Sequence, residues 1–295
     1  MSPDGPAPLT VAQALREGAA RLGSSGVPDP REEAAWLLCS LLGTDRGGLI
    51  VRREQRLPVA AAATYEIWIA RRAGREPAQH IVGTQEFFGL EFVVDRRVLI
   101  PRPETEGLLE AALALDVEPG ALVADLGTGS GCLAVTLAVR RPDLRVLAID
   151  RSGAALEVAR VNALRHGVAA RVELVQAAFA ERPPGDWHAR ASLVLSNPPY
   201  VSEAEWAGLE PEVRDHDPRE ALVAGPTGLE AFREVVPLAA WLARPAGHLL
   251  LELGRGQAGT VSELLTYSGW AMVAIRPDMQ GIPRVLVARR GSVGD

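Results

Sequence analysis

The sequence predicts an α/β protein: a mostly parallel, seven-stranded sheet covered by helices, preceded by a small helical domain. Three observations carry this. From residue 121 onward, short apolar runs rich in Val, Leu and Ile alternate with longer amphipathic stretches, the pattern of strands joined by crossover helices. The first of these runs ends in Gly127-Thr128-Gly129-Ser130-Gly131, a glycine-rich turn leading into a helix. Residues 10–75, by contrast, show helical periodicity alone.

Taken in order, residues 1–9 are polar and proline-rich and read as disordered. Thr10 is placed to cap a helix that stops near Gly23, and Asp29-Pro30 reads as a cap followed by proline at the first helical position. A third helix spans about 58–72, so 10–75 forms the helical domain. Residues 76–105 read as a linker with a β-hairpin around Gly89, ending in Ile100-Pro101-Arg102-Pro103-Glu104-Thr105-Glu106. The α/β domain takes 106–295, with strands over 121–126, 144–149, 171–175, 192–196 and 248–253. Two final strands, 271–275 and 285–288, are close enough in sequence to pair antiparallel.

Composition narrows the function classes. With 295 residues and 47% hydrophobic content, the chain can bury one large core and a smaller one. Its 31 basic residues are all arginine, against 37 acidic ones, a net charge of −6 that disfavours binding nucleic acid by bulk electrostatics. No apolar run has the length of a membrane span, and the beginning lacks the charged and apolar regions of a signal peptide, so a cytoplasmic location is expected. The two cysteines, Cys39 and Cys132, lie far apart without metal-ligand spacing, and no metal site is expected.

Two motifs carry chemistry. After the glycine turn, the next strand ends at Asp150, an acid positioned to accept from two ribose hydroxyls; together they point to a nucleoside cofactor. The third glycine arrives one residue early for a dinucleotide fingerprint, and Asp125 precedes the loop, which favours S-adenosylmethionine over NAD. The second motif, Asn197-Pro198-Pro199-Tyr200, follows the strand that ends at Ser196. Its prolines hold Asn197 extended. The Asn197 side-chain oxygen and the Pro198 carbonyl offer two acceptors to a planar –NH2 group, and Tyr200 offers an aromatic face. A methyl donor beside an –NH2 grip implies methyl transfer to nitrogen, with either an amide or an adenine as guest.

On these residues the chain resembles the bacterial release factor glutamine methyltransferases of the HemK/PrmC type. The matching segments are Ile100 through Glu106, Asp125 through Gly131, Ser196 through Tyr200, and Glu220-Ala221-Leu222 with Gly225 and Gly228-Leu229. The resemblance implies a Rossmann-like class I methyltransferase fold and transfer from S-adenosylmethionine, leaving S-adenosylhomocysteine. The target it implies is the glutamine side-chain nitrogen in the Gly-Gly-Gln motif of class 1 peptide chain release factors. It assigns substrate binding to Asn197, Pro198, Pro199 and Tyr200, with Asn197, Pro198 and Tyr200 at the catalytic centre. It assigns the cofactor to residues Gly127, Thr128, Gly129, Ser130, Gly131 and Asp150, with Phe179 over the adenine and Asn197 nearby, and release factor docking to residues 10–75. A monomer is expected, with no direct contact to nucleic acid. Ala178 stands where relatives tend to carry an acid for the adenine amino group, which predicts weaker cofactor binding. The competing substrates are an adenine N6 in nucleic acid and a ribosomal protein glutamine; Pro103-Glu104-Thr105 argues for the release factor enzyme.

Overall fold

The structure is a computed structural model and describes residues 9–291. The reading of 1–9 as disordered therefore lies, apart from Leu9, outside the described residues. Two compact units divide the chain: one runs to Gly83 and takes in Pro211–His216, and the other holds the rest.

In the first unit, Thr10 caps α1 (Val11–Ser24). Its hydroxyl accepts from the Gln13 N–H while the Gln13 side chain accepts from the Thr10 N–H, so two orphan donors are satisfied reciprocally. Helix α2 (Pro30–Leu42) starts at the proline, but Asp29 does not cap it through its side chain. The proline ring bars Asp29 from the right-handed helical region, and the residue sits left-handed at φ 45°, with its carbonyl taking the Glu32 and Glu33 N–H groups. A short helix, α3 (Arg46–Val51), is hidden in the sequence by Gly47 and Gly48 and is capped by Asp45, which accepts from the Gly48 N–H at 2.7 Å. Helices α4 (Val59–Ala73) and α5 (Ala78–Val82) complete the unit around Leu22, Leu37, Leu38 and Ile69. Each fully buried leucine contributes roughly 2 kcal/mol. The Glu212 carboxylate, from the short helix Pro211–His216, pairs with Arg72 and Arg75.

The second unit opens with a hairpin, β1 (Thr84–Phe87) and β2 (Leu90–Val93). Phe88 and Gly89 both have positive φ, as a two-residue turn matched to strand twist requires. Phe87 and Phe92 meet edge to face at 6.2 Å inside a core shared with Leu108 and Leu137, so the hairpin belongs to this unit's packing. After α6 (Pro103–Leu113), the chain alternates: β3 (Leu122–Leu126), α7 (Cys132–Arg140), β4 (Arg145–Asp150), α8 (Gly153–Arg165), β5 (Val172–Gln176), β6 (Ala191–Ser196). An insertion follows, with β7 (Val201–Ser202), α9 (Glu203–Trp206), α10 (Pro211–His216) and β8 (Val223–Gly225). Then come α11 (Glu230–Leu242), β9 (Ala243–Glu252), α12 (Ala258–Tyr267), β10 (Trp270–Pro277) and β11 (Pro283–Arg290).

Seven strands form one sheet in the order β10-β11-β9-β6-β3-β4-β5, parallel except for the antiparallel pairs made by β11. Side chains alternate between two cores: Val123, Leu193 and Leu250 enter one, Ala124, Val194, Leu249 and Leu251 the other. Strands β3 and β6 lie side by side, with Leu126 level with Ile149 on one side and Ser196 on the other. Because the chain leaves β3 toward β4 and approaches β6 from β5 at the far edge, the sheet's strand order reverses here. The crevice at the strands' carboxyl ends opens at this point.

Candidate active site

The loop after β3 is held mainly through its backbone, with the Gly127 and Thr128 N–H groups donating to the Ile149 carbonyl at the end of β4. Gly127, Gly129 and Gly131 have φ of 75°, 54° and 81°, which glycine adopts without a Cβ clash. A Cβ on Gly127 would come within 3.1 Å of the Phe179 ring, and one on Gly131 within 3.1 Å of Ala159 on α8, so these glycines let the aromatic ring and a helix close in. Helix α7 begins at Cys132, directly after the turn, with Gly131 at its N-cap. Asp125 is wholly buried and accepts from the Thr128 hydroxyl at 2.7 Å; burial pushes its pKa up to about 7, against the pull of that hydroxyl. Asp150 accepts from the Gly129 N–H at 2.9 Å and the Ser152 N–H at 2.8 Å. Burial raises its pKa, while those two N–H groups favour the carboxylate. Each of its oxygens keeps a lone pair for a further donor, such as a sugar hydroxyl.

The loop after β6 is held by side chains from elsewhere in the chain. Ser196 donates to the Leu126 carbonyl at 2.7 Å, tying the ends of the two neighbouring strands together. The Asn197 Nδ2 donates to Thr105 Oγ1 at 3.1 Å, and Thr105 in turn donates to Glu252 Oε2 at 2.7 Å. Tyr200 donates to Glu252 Oε1 at 3.3 Å. Gln257 clamps the far end of the tetrapeptide: its amide donates to the carbonyls of Tyr200 and Gly228, at 3.0 and 3.1 Å, while its oxygen accepts from the Gly254 N–H. A Cβ on Gly228 would lie 2.6 Å from the Tyr200 carbonyl, so that close passage needs glycine.

One cavity brings together residues 127–130 of the glycine loop, Asp150, Phe179, Asn197 and Pro199. Gly131, Pro198 and Tyr200 do not line it. Gly131 packs against α8, Pro198 is buried, and the Tyr200 hydroxyl is turned to Glu252. Pro101 and Arg102, just before α6, and Thr105, in its first turn, line the same cavity. Arg102 donates to Asp217 at 2.6 Å, and burial pushes the Asp217 carboxyl up to about 6 in spite of that arginine. Ala178, where an acid was missing, gives its N–H to Glu181 at 3.1 Å.

Glu252 and Gln257 are not expected from sequence to belong to the site, whereas Thr105 lies in segment 101–106, for which a place at the substrate mouth competes with a plain helix start; its bond to Asn197 is what the sequence does not show. A signal for Glu252 does exist: it is a lone acid in Leu249-Leu250-Leu251-Glu252-Leu253, inside a predicted buried strand, and an acid there needs partners.

Comparison with known proteins identifies the family. Residues 13–83 match the PrmC N-terminal domain family and residues 106–209 the methyltransferase small domain family. The release factor glutamine methyltransferase of Cereibacter sphaeroides is 44% identical over 285 residues, covering 95% of this chain and 99% of the relative. The chain belongs to the release factor glutamine methyltransferases. The family member from Geobacter sulfurreducens is also 44% identical, over 92% of this chain and 93% of its own length. Among solved structures, a methyltransferase from Pyrococcus furiosus superposes with a TM-score of 0.51 at 17% identity, over 78% of this chain and 99% of that one. That likeness supports the class I methyltransferase fold. Among the described residues, no helix is long and apolar enough to cross a membrane.

Proposed function

We propose that this chain transfers a methyl group from S-adenosylmethionine to the side-chain amide nitrogen of the Gly-Gly-Gln glutamine in class 1 release factors, in the cytoplasm. The observation that carries the reading is that the glycine loop, Asp150 and Asn197 line one cavity, with the Asn197 NH2 already committed to Thr105. When bound, S-adenosylmethionine supplies an electrophilic methyl carbon on a sulfonium and leaves as S-adenosylhomocysteine. The residues present fit such a group. Asp150 keeps acceptor capacity for a ribose diol, the glycine loop leaves room for close backbone approach, and Phe179 offers an apolar face for adenine.

The protein's own task is to prepare a poor nucleophile. An amide nitrogen shares its lone pair with the carbonyl. Acceptors on both of its hydrogens, Asn197 Oδ1 and the Pro198 carbonyl, favour a geometry in which that pair is localised and aimed. Once the amide nitrogen carries the methyl group, one of its N–H protons would depart to an acceptor of this loop or to water. The acidic balance of the chain weighs against an adenine in nucleic acid as the guest. Incubation with methyl-labelled S-adenosylmethionine, a release factor and its glutamine-to-alanine variant tests the reading. Label is expected on the first protein alone; equal label on both, or label only on nucleic acid, overturns it.

A further inference from the structure

A carboxamide has two edges of opposite chemistry, an acceptor oxygen and a donor NH2, and a half-turn of the side chain exchanges them. A grip on an –NH2 group works only with the oxygen turned toward it. The Asn197 Nδ2 lies 3.1 Å from Thr105 Oγ1, yet a hydroxyl can donate or accept, so this contact alone does not choose an edge. The choice is made one bond further on. Thr105 Oγ1 lies 2.7 Å from Glu252 Oε2, and an ionised carboxylate only accepts. The Thr105 hydrogen is therefore spent on Glu252, its remaining lone pair faces Asn197, and only the NH2 edge can answer it. The other Glu252 oxygen takes the Tyr200 hydroxyl, so a single carboxylate directs both ends of the tetrapeptide.

We propose that Thr105 and Glu252 are positioning residues that set the polarity of the Asn197 carboxamide, so that its oxygen and not its NH2 is offered to the substrate amide. The proposal rests on the glutamine-methylation reading given above.

Glu252 is buried at the end of β9. The charged and titratable groups facing it are Arg284 on β11, which favours the carboxylate, and Glu104 on α6, which opposes it. Tyr200 donates to it, Cys132 stands at the start of α7, and Asp278 shares Arg284. Burial outweighs Arg284 and pushes the Glu252 carboxyl up to about 7. A protonated Glu252 can donate to Thr105, which frees the Thr105 hydrogen for Asn197 and lets the amide turn. Its NH2 then meets the substrate's NH2, donor against donor. Turnover therefore falls as pH drops through about 7.

The test is kcat for release factor methylation across that pH range, with calorimetric cofactor affinity measured alongside. Thr105→Val is expected to lose about 10- to 100-fold in kcat at high pH, with cofactor affinity little changed and the acid limb gone. Thr105→Ser restores most of the rate and the limb. Glu252→Gln keeps an oxygen for Thr105 but cannot titrate, so it shows a smaller loss and no acid limb. A merely structural role would leave the limb in place in every folded variant; that result, or a Thr105→Val rate within about twofold of wild type, overturns the proposal. A second measurement needs no substrate: in 15N-labelled protein the Asn197 side-chain NH2 signal, assigned by its absence in Asn197→Ala, should shift with pH near 7 and stay flat in Glu252→Gln. A flat wild-type signal also overturns it. Wild-type protein that labels no release factor defeats the functional reading instead, and the NH2 titration still decides the inference.

Discussion

The two loops at the switch point sit on neighbouring strands but are built on different plans. The turn after β3 is held mainly through its backbone: Asp125 and Thr128 bond to each other, three glycines take positive φ, and the end of β4 accepts its N–H groups, the Ile149 carbonyl those of Gly127 and Thr128 and Asp150 that of Gly129. The tetrapeptide after β6 is rigid in its prolines but oriented by others, through Thr105 from α6, Glu252 from β9 and Gln257 beside α12. On the proposed function, the loop that would hold the cofactor is shaped by its backbone, while the loop that would grip the substrate is oriented by long-range side chains. The substrate end is thus the part that can be retuned without disturbing the cofactor end.

The comparison breaks most visibly at Asn197. Asn197→Ala is expected to lower turnover by roughly 100- to 1000-fold, the scale of removing one well-placed polar group from a reacting centre, while calorimetry finds the cofactor bound nearly as before. Loss of both together would join the two loops into one unit. Asp150→Ala should do the opposite. Cofactor affinity weakens by about 10- to 100-fold, as for a lost pair of hydrogen bonds to a charged acceptor, and the rate at saturating cofactor changes far less.

A smaller effect concerns stability. Folding raises Glu252 from an ordinary glutamate value to about 7, so the folded state holds a proton that the unfolded chain has already released. Wild-type stability therefore falls as pH rises from the unfolded value toward about 7, and Glu252→Gln, which has no proton to lose, gains on wild type over that window. Asp125, also raised to about 7, and Asp217, raised to about 6, add to the wild-type slope, while the lowered His248 opposes it. Urea unfolding of the two proteins at both ends of the window measures the difference; a gap that stays constant or closes would contradict it. The smallest effect is expected at Ala178→Asp, which should tighten cofactor binding by only a few-fold, since one exposed acceptor for an amino group adds little in water. No tightening by calorimetry would mean that the adenine end does not lack an acid.

Legibility in the sequence follows the same division. The strand-and-helix alternation, the antiparallel last pair, the glycine turn and Asp150 could all be read because each depends on residues adjacent in the chain. The bond between Thr105 and Asn197, 92 residues apart, could not be, and neither could the joining of Glu252 to both Thr105 and Tyr200. The ring of Tyr200 is expected from sequence to face the substrate amide; what the sequence does not show is that its hydroxyl answers a buried acid that only the fold brings near. Asp29 shows the same limit at a helix start, where the cap-and-proline motif is present but the residue sits left-handed and its side chain makes no cap bond.

The central claim is that the Asn197 loop offers a glutamine amide to a methyl donor held by the glycine loop. Fragment mass spectrometry of a release factor after incubation with the protein and S-adenosylmethionine tests it most directly. A single methyl group on the side-chain nitrogen of the Gly-Gly-Gln glutamine is the predicted result. A methyl group on any other residue, with that glutamine unmodified, would contradict it.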